Sequence, residues 1–172
     1  MTVGTYTLSP QLVIDGQDQS GISANISALE VEETIAGLYR CEIDLLNFGM
    51  DGYLYFDRRD IDFGLKIEVN IGVEESANPL FIGYITGLEA TYIADGGTRL
   101  TILAEDTLQD LRMTRRTRTF EDVTDEDVMQ QIAQEHSLQT DFEGLSGPTH
   151  RILAQTNLSD LAFLRECARR IN

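Results

Sequence analysis

At Glu105 the chain changes its hydrophobic period. Before it, apolar and polar residues alternate in short runs, the period of a strand with one buried face. After it, apolar residues recur every three or four positions, the period of a helix. That break predicts two parts: a β-rich part over residues 1–105 and an α/β part over residues 106–172, joined through the stretch Leu100–Leu138.

The first part reads as six or seven strands with hairpin-like links and no helix between them. Thr5–Leu8 and Gln11–Ile14 are short candidates, separated by Pro10 and followed by the turn dipeptide Asp15-Gly16. Ile26–Ile35 places Ile26, Ala28, Leu29, Val31 and Ile35 on an apolar face, with glutamates opposite. Tyr39–Leu46 alternates Tyr39, Cys41, Ile43 and Leu45 with Arg40, Glu42 and Asp44, and Ala36-Gly37-Leu38 is short enough to join the two as a hairpin. Asn47–Phe63 reads as a long loop. Its Tyr53, Tyr55 and Phe56 either form an interaction surface or pin the loop to its own core. Leu65–Val73 alternates again, and Glu74–Pro79 is a polar turn. In Leu80–Ala94, the internal Gly83 and Gly87 suggest bends or bulges of a curling sheet. Asp95-Gly96-Gly97 is a turn signal before the returning strand Thr98–Ala104. An antiparallel barrel or sandwich is expected.

Beyond Glu105, Leu108 and Leu111 are placed to cap the barrel, and Thr114–Phe120 is a strand candidate. Thr124 is the expected N-cap of a helix whose first turn holds Asp125, Glu126 and Asp127, where the helix dipole favours anions. Val128, Ile132 and Ala133 form its stripe, and His136 lies at its end. Leu138–Phe142 and Arg151–Ala154 are further strand candidates around the loop Gly144–Pro148. A second helix, capped by Asn157 or Ser159, carries Leu161, Leu164, Cys167, Ala168 and Ile171 at helical spacing. The order is β-α-β-β-α with a thin core, and the chain stops at this helix, so it is expected to be part of a longer protein.

Charge narrows the function classes. The chain has 29 acids against 13 bases, a net of −16, and residues 1–105 alone carry −12. Such a surface repels nucleic acid and anionic membrane. No apolar run approaches the roughly 20 residues of a membrane helix, and the opening MTVGTYTLSP has neither the basic nor the apolar region of a secretory signal. Cys41 and Cys167 read as two buried thiols rather than a disulfide.

Catalytic patterns are missing. The histidines His136 and His150 stand beside no nucleophile motif. Asp57, Asp60 and Asp62 lack the EF-hand pattern, with Arg58 and Arg59 between them. No catalytic residue, metal ligand or cofactor is assigned. The one charge feature that stands out is Arg112, Arg115, Arg116 and Arg118. Either these pair locally with acids, or they form an intersubunit contact suited to arginine's bidentate fork.

Three stretches resemble the phage late-control D type of tail protein: FIGYITGLEATYIADGGTRLTILAEDTLQDL, RTRTFEDVTDEDVMQQIAQEHSL and LAQTNLSDLAFLRECARRIN. The most specific pieces are the FIG-x-I-T strand, the aspartate-leucine turn before the arginines, and Gln155, Asn157, Asp160, Leu161, Phe163 and Leu164 at the start of the last helix. That family covers baseplate hubs of contractile tails and injection particles and the hub part of type VI secretion spikes. The resemblance implies an α+β, mainly β fold: an antiparallel tail-tube-like β-barrel followed by a small α/β segment, the incomplete start of an inserted domain. It implies a structural hub that adapts a hexameric tube to a trimeric spike, with itself, the tube protein and the spike protein as partners. It implies no sequence-specific nucleic acid, no membrane, and a place in the baseplate of a virion or injection particle assembled in the bacterial cytoplasm. The acidic surface fits a lumen through which DNA or cargo slides. The alternative is a peptidoglycan-hydrolase module of such a particle.

Overall fold

The computed structural model describes residues 9–34, 38–49, 52–55, 60–71, 79–94, 97–143 and 147–171. The expected strand Thr5–Leu8 and most residues of the Ala36-Gly37-Leu38, Asp57–Asp60 and Glu74–Pro79 segments lie outside them. The chain divides into two compact units, residues 1–107 and 108–172.

The first unit is one antiparallel sheet. Its strands are β1 (Pro10–Ile14), β2 (Gln17–Asp18), β3 (Ile26–Glu32), β4 (Arg40–Leu46), β5 (Lys66–Ile71), β6 (Phe81–Ile93) and β7 (Gly97–Glu105), in the order β2-β1-β5-β6-β7-β4-β3. The turn Asp15-Gly16 has positive φ at both residues, as a two-residue hairpin of matching twist requires. β6 and β7 form a hairpin from Ile93 opposite Gly97. Alternation sets the inward face: Cys41, Ile43 and Leu45 of β4, Ile67 and Val69 of β5, and Leu100, Ile102 and Ala104 of β7 are buried in one core. Each fully buried Ile or Leu contributes about 1.5–3 kcal/mol.

Among the described residues β2 and β3 do not pair, and the expected barrel is not closed there. A helical turn spans the gap instead. In α1 (Ser20–Ser23), Ser23 Oγ accepts the Leu12 N–H at 3.0 Å, and just beyond it the Asn25 carbonyl accepts the Leu46 N–H at 2.9 Å. Ile22 of this turn enters the core that Leu12 and Ile14 of β1 share with the half-buried Leu29 and Val31 of β3.

Two irregularities interrupt the pairing. β6 pairs with β5 through Phe81–Tyr84 and with β7 through Tyr84–Ile93, and a bulge lies between Ile85 and Gly87. Gly83 sits where the two pairings meet. A Cβ there would lie 2.2 Å from the Glu105 carbonyl oxygen, which is backbone and cannot swing aside. Gly83→Ala is expected to destabilise the first unit by about 3 kcal/mol, read from urea unfolding; a loss near zero would mean that β6 and β7 separate easily at this point. In β3, a bulge between Ile26 and Ala28 changes the phase. Ala28, expected on the apolar face, is therefore exposed, while Leu29 and Val31 point inward.

The second unit pairs β8 (Arg115–Val123) with β9 (His150–Ser159), packed with α2 (Asp110–Met113), α3 (Asp125–Glu135) and α4 (Asp160–Ile171). Thr124 caps α3 as expected. Its hydroxyl accepts the Asp127 N–H, and the Asp127 carboxylate takes the Thr124 N–H in return. Ser159, not Asn157, caps α4, accepting the Ala162 N–H at 3.2 Å. Leu138–Phe142 forms no strand. Leu108 and Leu111, expected to cap the barrel, belong to the second core with Phe120, Val128, Ile132, Leu153 and Phe163. Both cysteines are free and buried; burial pushes the Cys41 thiol up to about 12.

Candidate functional site

The arginine strand and the start of the last helix meet in one partly buried cluster around the buried Asp160. β9 carries an extra residue opposite Thr117, because Arg116 faces Leu158 while Arg118 faces Gln155. Asn157 takes that bulge with φ of +50°, a conformation asparagine tolerates better than most residues, and its N–H bonds the Thr117 hydroxyl. Arg116 and Arg118, two apart on β8, then reach the same carboxylate, Asp160, the first residue of α4.

Asp160 is 1% exposed. Its Oδ1 accepts from Arg118 Nη2 at 2.9 Å and Gln155 Nε2 at 2.8 Å, and its Oδ2 accepts from His136 Nε2 at 2.9 Å. A carboxylate only accepts, so His136 Nε2 carries the proton. Burial opposes the charge, but the bonds from His136 and Gln155 and the charges of Arg118 and Arg116 outweigh it and hold the carboxyl below its usual value. Arg118 is satisfied on every side. Its Nε donates to Gln155 Oε1 at 2.8 Å, its Nη1 grips both Glu135 oxygens at 2.8 and 2.7 Å, and its guanidinium lies 5.0 Å over Phe120. Phe120 in turn stacks on Phe163 with centroids 5.9 Å apart. Arg116 Nε stands 3.3 Å from Asp160 but without hydrogen-bond alignment.

A smaller cluster ties the other ends of the same elements. Asp125, 3% exposed, opens α3 and accepts from His150 of β9 at 2.8 Å, with Arg170 of α4 at 3.4 Å. Asp125 therefore serves this contact, while Asp127 does the capping.

Of the four arginines singled out in the sequence, the structure brings Arg116 and Arg118 into the internal cluster. Arg115 is exposed and donates to the Asn157 carbonyl at 3.2 Å, and Arg112 is exposed on the last turn of α2. His136, Glu135 and Gln155 were not read as partners of the arginines. Gln155 was visible only as part of the Q-x-N-x-x-D-L-x-F-L motif, which the geometry explains as the fastening of β8, β9 and α4. Chemically this cluster holds charges in place. It contains no nucleophile.

The first unit brings acids together on the outer faces of β3, β4 and β7. Glu30 lies directly opposite Glu42, and both are exposed. With Glu32, Glu105 and Arg40 they surround an open hollow of about 250 Å³, where Arg40 pairs with Glu105 at 3.7 Å. Like charges directly opposite destabilise a sheet. Glu42→Gln is expected to raise stability by about 0.5 kcal/mol, seen as a higher urea midpoint; a lower midpoint would show that Glu42 makes a favourable pair. Among the described residues no group of three or more His, Cys, Asp or Glu side chains is placed to hold a metal ion, and no helix is long and apolar enough to cross a membrane.

This fold is shared with solved tail proteins. A 43 kDa tail protein of prophage MuSo2 from Shewanella oneidensis superposes with a TM-score of 0.75 at 13% identity, over 95% of this chain and 48% of that one. A tail protein of Neisseria meningitidis MC58 gives 0.64 at 11% identity, over 95% and 45%. A type VI secretion component of Escherichia coli, itself described as similar to bacteriophage T4 tail proteins, gives 0.55 at 16%, over 89% and 41%. The chain thus spans less than half of each of these structures, and identities this low establish the fold alone. No curated protein sequence matches it. The likeness to phage tail proteins read from the sequence is present in the fold, but the family model that matches is not the late-control D one. It is that of the Alg8 N-terminal domain, which covers residues 5–170, and the chain belongs to that family.

Proposed function

We propose that this chain is a structural component of a contractile phage tail or a related injection apparatus, and within it part of the baseplate hub between tube and spike. The observation that carries the reading is the superposition of 95% of the chain on a prophage tail protein. Its partners on this reading are further copies of itself in a trimeric hub, the tail tube protein and the spike protein. Its place is the virion or particle, assembled in the bacterial cytoplasm. Residues 106–172 are then the start of a domain inserted after a tube-like unit, and the acidic face of β3 and β4 fits a lumen that cargo passes without sticking. The role is non-enzymatic.

Arg115 is exposed, and on this reading it contributes to contacts between subunits. Arg115→Glu in the full-length protein is expected to lower the assembled fraction on a sizing column while shifting Tm by no more than about 2 °C. An unchanged assembled fraction would remove Arg115 from the interface.

The acid-lined hollow gives the wall-hydrolase alternative its one specific feature, since glycoside cleavage uses two carboxylates. Both readings are tested on particles purified from a producing strain with a tagged chain. The hub reading expects the tag to sediment with intact tails and to be found at the baseplate by electron microscopy. A tag found only in free protein, or loss of peptidoglycan turbidity abolished by Glu42→Gln, would overturn it.

A further inference from the structure

A groove on the second unit has apolar walls and a single charge. It has a volume of about 320 Å³ and is lined by Leu111, Met129, Ala133, Leu138, Leu164 and Arg165, among others. These residues come from α2, α3, α4 and the segment just after α3, where the Leu138 N–H bonds back to the Ala133 carbonyl at 2.8 Å. Leu111 and Ala133 are buried, and Met129, Leu138 and Leu164 are half-buried against the second core. On α4, Leu164, Arg165 and the exposed Ala168 line the groove at helical spacing.

Arg165 is the feature that selects an occupant. Among the described residues three arginines are half-buried: Arg116, Arg118 and Arg165. Arg116 and Arg118 have Asp160 and Glu135, whereas Arg165 has no acid at ion-pair distance among the described residues. The exposed Arg99, Arg151 and Arg169 are solvated and need none. A partly desolvated guanidinium is unfavourable until a carboxylate meets it. It is also within reach, since the side chain is long and only half-buried.

Two further points fix the class of occupant. The walls are largely helical, and their main-chain groups are bonded within their own helices, so the groove offers side-chain contacts and no strand edge. An occupant that satisfies its own main chain there is a helix. No acid lines the groove, so pressing it against the same groove of a second copy would bring two guanidiniums together without a carboxylate.

We propose that this groove receives an amphipathic, acidic helix of a neighbouring protein. Apolar side chains one turn apart on that helix lie against Met129, Leu138 and Leu164, and a glutamate or aspartate beside them pairs with Arg165 at the rim.

The test is an NMR titration of the isotope-labelled chain, in about 0.15 M salt, with two peptides of about 20 residues, long enough to form a helix alone. One is built of leucine, alanine and glutamate with its leucines on one face; the other has lysine for every glutamate. The acidic peptide is expected to shift the Met129, Leu138 and Leu164 methyls and the Arg165 Nε–H saturably, and to bind about ten-fold more tightly than the basic one. The net charge of −16 favours the basic peptide, so a preference for the acidic one reports a local cation. Arg165→Gln should abolish that preference. Ala168→Glu, at an exposed position three residues past Arg165, puts a carboxylate on the groove and should remove binding of the acidic peptide with the fold intact. The proposal is overturned if neither peptide gives saturable shifts, if both bind equally, or if Ala168→Glu binds the acidic peptide as the wild type does. It is also overturned if the groove resonances move with protein concentration alone, which would make the occupant a second copy of this chain. The assay reads binding in solution, so its failure leaves the tail-assembly reading standing.

Discussion

Replacing Arg118 with methionine is expected to cost the second unit about 3–5 kcal/mol, enough to unfold it or leave it marginal. Arg118 holds Gln155, Glu135 and Asp160 at once, and its loss leaves the buried Asp160 carboxylate without its nearer arginine partner. The isostere keeps the stem and removes the charge, so the effect isolates the cluster from simple packing. Arg115→Glu, one strand face away and exposed, should change folding by less than about 0.5 kcal/mol. Urea unfolding followed by hydrogen exchange of the β8 and β9 amides separates the second unit from the first. A loss below about 1 kcal/mol for Arg118→Met would mean that His136, Gln155 and Arg116 suffice for Asp160. Acid provides an independent check. The folded-state carboxyl of Asp160 lies below its ordinary value of 3.8. Its contribution is therefore fully present above the unfolded value and is lost as pH falls through the folded one. The wild type should lose second-unit stability below about pH 4, and Asp160→Asn should flatten that loss.

Phe163→Ala should be comparably severe, at about 3–5 kcal/mol. Phe163 is 1% exposed, stacks on Phe120, and sits four residues before Cys167, the other buried apolar position of α4. Ile152→Ala, at a site 61% exposed on β9, is the control and should cost less than about 0.5 kcal/mol. Equal losses for the two would mean that the Phe120–Phe163 stack contributes nothing beyond the strand it stands on.

Local rules carried most of the elements. Asp15-Gly16 marks its hairpin because few other pairs accept positive φ twice. β4 alternates cleanly because only one of its faces is wet. Thr124 and Asp127 three positions apart announce the start of α3. What failed did so through distant partners. β8 and β9 are separated by α3 and pair only in three dimensions, so the sequence left open whether Arg116 and Arg118 pair locally with acids or face another subunit; Asp160 and Glu135 are the local acids they reach. Ala28 went to the wrong face because a bulge absorbs a residue that alternation cannot count. The last helix was read around Leu161, Leu164, Cys167, Ala168 and Ile171; Cys167 is buried as expected, and Phe163 is the buried apolar residue that reading missed. The motif Gln155–Leu164 signalled a family before it revealed a reason. Gln155 and Asp160 are buried polar groups that bind each other and Arg118 of another strand, and Asp160 also accepts from His136. Such a motif specifies architecture.

The most direct test of that account is the mass in solution of the protein in its full natural length, by light scattering at micromolar concentration. A hub that joins a tube to a trimeric spike predicts a mass three times that of one chain. A single-chain mass that persists at that concentration would contradict it.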